Sequence, residues 1–211
     1  IDFDPQANMT SLLLKTKSQN SNEIEVINNT LMNAIKNDEN LLDIVINIKK
    51  NLYLIPNAVD SSLYGRYLEN NFDNEKEKVS FLSKVLKRDL VGHFDFIFID
   101  VPPTLSLQND TAYFACDDIV IVLQTQQHSL DGAEDLIDYI QDTIIDEFQL
   151  YHLRIDISAF SKKVNGKEDI PFTDVALKQL DALLSTLNKK EKNAIIRFAY
   201  APEFGDAKDM E

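Results

Sequence analysis

Cysteine occurs once in the 211 residues, glycine five times and tryptophan not at all. A lone Cys116 excludes an internal disulfide, and its place at an expected helix-to-strand junction marks it as a packing residue rather than a nucleophile. His93, His128 and His152 stand far apart with no cysteine partners, which argues against a metal-binding cluster. No apolar run reaches membrane-spanning length and no signal-peptide pattern is visible, so a reduced, soluble, cytoplasmic setting is expected. Basic residues are in deficit: 21 Lys+Arg against 35 Asp+Glu give a formal charge of -14, so contact with nucleic acid or an anionic membrane requires a local basic patch. There is no G-x-x-x-x-G-K-[ST], and five scattered glycines cannot form the backbone N–H cradle that such a loop offers to phosphates. Internal repeats and low-complexity tracts are also missing.

What is present is 44% apolar residues, enough at this length for one well-buried domain. The stretch around which the chain is organised is 93–104, HFDFIFIDVPPT. Its near-unbroken apolar run stops at Asp100, and Pro102 and Pro103 close it by forbidding further ladder pairing. A run apolar on both alternating faces predicts a central strand covered by helices on both sides. Asp100 then lies at the carboxyl end of that strand, where open α/β sheets keep their ligands. IDFDP at the start reads as the tail of another strand, offering Asp2 and Asp4 at the same edge.

Between these, residues 18–21 (SQNS) read as a loop, and 23–36 as an amphipathic helix with Ile24, Ile27, Leu31 and Ile35 at helical spacing. Residues 41–50 suit either helix or strand, and 51–56 (NLYLIP) form a short strand closed by proline. Residues 57–74 are polar and turn-rich. The 76–90 segment puts Val79, Leu82, Val85 and Leu86 on one helical face. A short helix is expected at 106–115, a buried strand at 118–124, and a helix at 130–149 with a Leu136, Ile140, Ile144, Phe148 stripe and an acidic opposite face. That acidic face argues against membrane docking. Strands at 153–160 and 193–200 and a helix at 173–187, with Thr173 as its N-cap, complete the pattern. Strands alternating with helices predict an α/β fold, a doubly wound, mainly parallel sheet flanked by helices.

Three carboxylates gathered at one sheet edge repel one another unless protons or a cation balance them. Magnesium suits the setting, because it takes oxygen ligands, often through water, together with phosphate oxygens. The residues that carry this idea also carry a resemblance. Asp2-Phe3-Asp4-Pro5-Gln6-Ala7-Asn8-Met9-Thr10 resembles the D-x-D-P-Q-x-N-x-T segment of the ParA-type partition ATPases, a deviant Walker P-loop class. Residues 94–103 (FDFIFIDVPP) are similar to their Walker B strand and its proline pair. Residues 51–56 and Ser129-Leu130-Asp131-Gly132 agree with a further strand ending in Ile-Pro and a turn into a helix. The likeness covers residues 1–149, and 150–211 diverge from it.

The resemblance implies a P-loop NTPase-like fold lacking the N-terminal strand and phosphate loop, and a cytoplasmic, nucleoid-associated protein that segregates plasmid or chromosomal DNA. It implies ATP and Mg2+ as cofactors. Asp100 would hold the metal through water, Asp2 would help order its shell, and Asp4 would position the attacking water. Gln6 and Thr10 would lie on a loop that senses the γ-phosphate. Such chemistry is orientation plus charge neutralisation, so acids and a metal suffice. The expected partners are a second copy in a homodimer, a ParB-like stimulating protein and non-specific DNA in the ATP state. Lys162, Lys163, Lys189, Lys190, Lys192 and Arg197 are the candidate DNA contacts, against a reading as ordinary solvated side chains.

The family's K-G-G-x-G-K-T-T loop belongs upstream of Asp2, and Ile1 is not an initiator methionine. The 211 residues alone are therefore expected not to hydrolyse ATP, whereas a longer parent chain does. The alternative is a nucleotide-free regulatory or protein-interaction module derived from the same fold, docking a partner through the acidic helix 130–149. A membrane-site regulator is disfavoured, because the terminal AKDME is no basic amphipathic helix.

Overall fold

Proline at position 5 and the proline pair at 102–103 stop two segments at one level, and the fold is arranged so that they stop side by side. The computed structural model describes residues 1–21, 27–124, 127–150, 154–160, 163–164, 167–168 and 195–201. They belong to two compact units, Ile1–Ala115 and Cys116–Glu211, each described here by itself.

In the first unit, α1 (Asn8–Ser21) follows the opening segment and runs through the SQNS stretch expected as a loop. Polar residues with neutral propensity do not end a helix without a glycine or proline to break it. Of the amphipathic helix expected at 23–36, residues 23–26 lie outside the described residues, 27–30 are not helical, and α2 (Leu31–Lys36) is started by the Thr30 side chain accepting the Asn33 N–H. Two asparagines before Thr30 favour a capped start over an earlier one. The ambiguous 41–50 segment divides into a 3-10 turn (Leu41–Ile44) and β1 (Ile46–Lys49), which pairs antiparallel with β2 (Leu52–Leu54). Residues 57–74, expected as turns, hold a 3-10 turn (Val59–Leu63) and α3 (Tyr64–Asn71). Then comes α4 (Glu75–Asp89), capped by Asn74, with Val79, Leu82, Val85 and Leu86 buried as their spacing predicts, and later α5 (Leu107–Ala115).

Phe3 is 1% exposed and joins Leu31, Leu41, Tyr64, Leu68, Leu82 and Leu86 in the core, its ring meeting Tyr64 edge-on at 5.0 Å. Burying each such side chain contributes about 1.5–3 kcal/mol. The polar counterpart is Asp89, buried at the end of α4. Its carboxylate accepts from Leu41 N (3.0 Å) and from Arg88 Nε (2.6 Å), while Arg88 also reaches Asp38 at 2.5 Å. The Arg88 hydrogen bond, aided by the Leu41 N–H, holds Asp89 below the usual carboxylate range despite its burial. A depressed carboxylate pKa contributes stability above the unfolded value and loses it as pH falls through the folded one. Asp89→Asn is therefore expected to cost about 1–3 kcal/mol at neutral pH, the gap to the parent chain closing in urea melts taken below about pH 4.

The segment 93–104 departs from the expectation of a covered central strand. Its carboxyl end bonds to the opening residues, but Phe96 and Phe98 are 81% and 78% exposed and stack on each other at 6.5 Å. Phe94, Ile97 and Ile99 pack against the core, Phe94 meeting the Tyr53 ring at 5.5 Å, whereas the Phe96 and Phe98 side chains find no such cover among the described residues.

In the second unit, β3 (Asp118–Gln124), β4 (Arg154–Phe160) and β7 (Ile195–Ala201) form a parallel sheet in the order β3-β4-β7, with Asp118 opposite Arg154 and Arg154 opposite Ile195. All three answer strands expected from the sequence. β3 was expected to be buried throughout; Ile119 and Ile121 are buried, whereas Val120 and Val122 are exposed, so it is half-buried. Between β3 and β4 runs α6 (Gln127–Tyr139), which continues as a π-helical segment (Ile140–Asp146) with Ile140, Ile144 and Ile145 buried. A parallel pair requires such a crossover. A short antiparallel pair, β5 (Lys163–Val164) and β6 (Lys167–Glu168), follows β4. Cys116 sits between α5 and β3, and burial pushes its thiol up to about 11, as suits a packing residue. The helix expected at 173–187 lies outside the described residues.

Candidate functional site

Parallel pairing of the two proline-terminated segments builds the site. Phe3 N donates to Asp100 O at 2.8 Å and Asp100 N to Ile1 O at 2.9 Å, making Asp2 and Asp100 bridge partners. Ile1 N extends the line by donating to Phe98 O at 2.6 Å. On the other side, Asp2 N donates to Ile55 O at 3.3 Å. Alternation along the opening segment sends Phe3 into the core and leaves Asp2 and Asp4 on the other side of the chain.

Each acid sits in its own environment. Asp2 is fully buried, its Oδ2 accepting the Thr10 N–H at 2.7 Å and its Oδ1 the Asp4 N–H at 3.2 Å. Asp4 is half-buried, and its Oδ1 accepts the Gln6 N–H at 2.9 Å. Asp100 is exposed at the edge, yet partial desolvation, then the charges of Asp2 and Asp4, push its carboxyl above the usual carboxylate range. The three acids predicted from sequence are thus brought together at the ends of two paired segments, where the charges of Asp2 and Asp4 act on Asp100.

A compact turn after Asp4 leads into α1, whose first turn holds Thr10. Ala7 N donates to Asp4 O at 2.8 Å, and Ala7 itself holds φ 52, a left-handed conformation that a non-glycine residue rarely takes. Gln6 is exposed on this turn, its Oε1 accepting from Asn8 Nδ2 at 3.3 Å. Thr10 is buried and faces inward, its Oγ1 accepting the Asn57 N–H at 3.0 Å. A ring of buried amides supports the turn: Asn57 Nδ2 donates to Asp4 O at 2.9 Å and to Ser61 Oγ at 3.0 Å, and Gln108 Nε2 donates to Phe3 O. Asn109 Nδ2 donates to Pro102 O at 2.7 Å and Thr104 O at 2.5 Å, fixing the other proline segment. Asn57, Gln108 and Asn109 were not singled out from sequence. The signal that could have found them is the need for donors beside Pro5 and Pro102, where no ladder can continue.

Among the described residues no three His, Cys, Asp or Glu side chains converge to hold an ion outright. The acids at this edge fit magnesium in its usual mode, with one or two carboxylates and the remaining positions filled by water and phosphate oxygens. Of the candidate DNA contacts, Lys162, Lys189, Lys190 and Lys192 lie outside the described residues. Lys163 is in β5 and Arg197 in β7. No helix among the described residues is long and apolar enough to cross a membrane.

This fold recurs in solved nucleotide-binding proteins. The apo McdA structure from Cyanothece superposes with a TM-score of 0.70 at 20% identity, covering 96% of this chain and 72% of that one. A plasmid partition protein of Borrelia burgdorferi bound to AMPPNP gives 0.63 at 20% identity, with 99% and 78% covered. Cobyrinic acid a,c-diamide synthase of Mycobacterium smegmatis with ADP and magnesium gives 0.66 at 16% identity, with 99% and 73% covered. The class is therefore that of the P-loop NTPase-like α/β folds.

A family model described as an AAA domain matches residues 1–155, and the chain belongs to this family, in its ParA-type partition ATPase branch. The sporulation initiation inhibitor protein Soj of Bacillus subtilis is 29% identical over 147 residues, 67% of this chain and 51% of its own length. The chromosome partitioning protein ParA of Myxococcus xanthus is 31% identical over 138 residues, 64% of this chain and 44% of its own. The chain thus spans about half the length of these curated relatives.

Proposed function

We propose that this chain supplies the magnesium-ordering and water-orienting half of an ATP-hydrolysing site in a DNA-segregation protein. The observation that carries the reading is the side-by-side placement of Asp2 and Asp100, with Asp4 one step on, at the carboxyl ends of parallel segments. Magnesium, when bound, neutralises charge on the phosphates. Asp100, exposed and least tied by hydrogen bonds, is the residue to hold it through water. Asp2 is committed to the Asp4 and Thr10 N–H groups, so it acts on the metal shell by fixing the turn. Asp4, held by Gln6 N through one oxygen, orients the attacking water with the other. Gln6, on the exposed face of the same turn, is in this reading the residue that meets the terminal phosphate.

Coupling of hydrolysis to dimerisation, to non-specific DNA through Lys162, Lys163, Lys189, Lys190, Lys192 and Arg197, and to a ParB-like stimulating protein follows as part of this proposal. The supporting likeness is to chromosome and plasmid partition proteins.

The test is phosphate release from ATP by the product of the complete reading frame, with and without Mg2+. Magnesium-dependent turnover is expected, while the 211 residues alone release phosphate no faster than a blank. Absence of any nucleotide binding by the complete product would overturn the reading, as would metal-independent turnover.

A further inference from the structure

Pro5 ends the opening segment, which leaves the carbonyls of Phe3 and Asp4 beyond the reach of any regular ladder. Two buried side-chain amides from different parts of the chain take them instead, the Asp4 carbonyl accepting from Ala7 N as well at 2.8 Å. Gln108, 8% exposed at the start of α5, donates to Phe3 O. Asn57, 1% exposed and directly after Pro56, donates to Asp4 O at 2.9 Å and Ser61 Oγ at 3.0 Å, and its own N–H reaches Thr10 Oγ1 at 3.0 Å. Asn57 therefore ties Asp4, before the turn, to Thr10 in the first turn of α1 beyond it.

The grip has a cost. Asn57 Oδ1 is buried with no hydrogen-bond partner among the described residues, and a stranded buried acceptor destabilises a fold. Turning the amide over would pair neither end better, since it would set that oxygen against the Asp4 carbonyl. A side chain serving packing alone would carry no such oxygen. Such a group calls for an explanation, and a part in fixing a functional geometry is one.

We propose that Asn57 is a positioning residue that, with Gln108, sets the location of the Asp4 carboxylate by clamping the backbone on which it rides. This rests on the reading of Asp4 as the group that orients the attacking water. A displacement of about 1 Å at such a group can cost ~100-fold in rate. In the product of the complete reading frame, Asn57→Ala is expected to lower kcat roughly 10- to 100-fold while KM for Mg-ATP stays within about twofold.

A double-mutant cycle with Asp4→Ala separates positioning from general damage. Once Asp4 is gone, Asn57→Ala is expected to cause no further loss, and multiplicative losses would overturn the proposal. So would an unchanged kcat, or a raised KM with kcat intact. Should Asn57→Ala fail to fold, Gln108→Met carries the test, with the same kcat loss, steady KM and absence of effect in the Asp4→Ala background. If Asp4→Ala itself leaves turnover unchanged, the ATPase reading has failed; if it abolishes turnover while both clamp variants are silent, only the clamp has failed.

Discussion

Asp4→Ala, made in the product of the complete reading frame, is expected to lower ATP turnover by about 100- to 1000-fold while leaving Mg-ATP affinity close to that of the parent protein. The separation follows from position. Asp4 is half-buried at the tip of its segment, with one oxygen spent on Gln6 N and the other available to water. A group that only orients the nucleophile contributes in the transition state and little in the ground state, so kcat falls and binding survives. Single-turnover phosphate release beside a nucleotide titration reads both quantities. Loss of binding in step with turnover would move Asp4 into the phosphate or metal contacts and remove the water-orienting role.

Asp2→Ala is expected to act on stability instead. Its carboxylate is fully buried and satisfies two backbone donors, Thr10 N at 2.7 Å and Asp4 N at 3.2 Å. Deleting it strands both, for an expected loss of about 2–5 kcal/mol. In a chain of this size that lowers the melting temperature by roughly 5–15 °C. Relief of the repulsion felt by Asp100 offsets part of the loss, and Asp2→Asn, which keeps one acceptor, is expected to fall between the two. Thermal unfolding followed by circular dichroism checks the order. An unchanged midpoint for Asp2→Ala would show that the turn is held without this carboxylate.

The acids were legible because proline punctuates sequence as plainly as it punctuates structure. Pro5 and the pair at 102–103 announced where two segments end, and an acid just before each announced the edge. The parallel sheet of β3, β4 and β7 was legible from its apolar runs separated by longer stretches. The amide clamp was not, because Asn57 and Gln108 are polar residues in polar surroundings, and only the spatial closeness of positions 3, 4, 57 and 108 gives them a task. The polar stretch 18–21 suggests a loop but stays helical, because no glycine or proline breaks it. Phe96 and Phe98 differ from the expected burial for another reason. An apolar run shows that a strand wants cover, but not how much of it is met by the residues at hand.

That pair of rings sets how the isolated polypeptide behaves at the bench. Two phenylalanines standing in water form an adhesive stripe of the sort soluble proteins keep small. The chain's surplus of negative charge works against self-adhesion at low ionic strength, and salt weakens that protection. Concentrated, salty solutions of these 211 residues should therefore turn cloudy sooner than dilute ones.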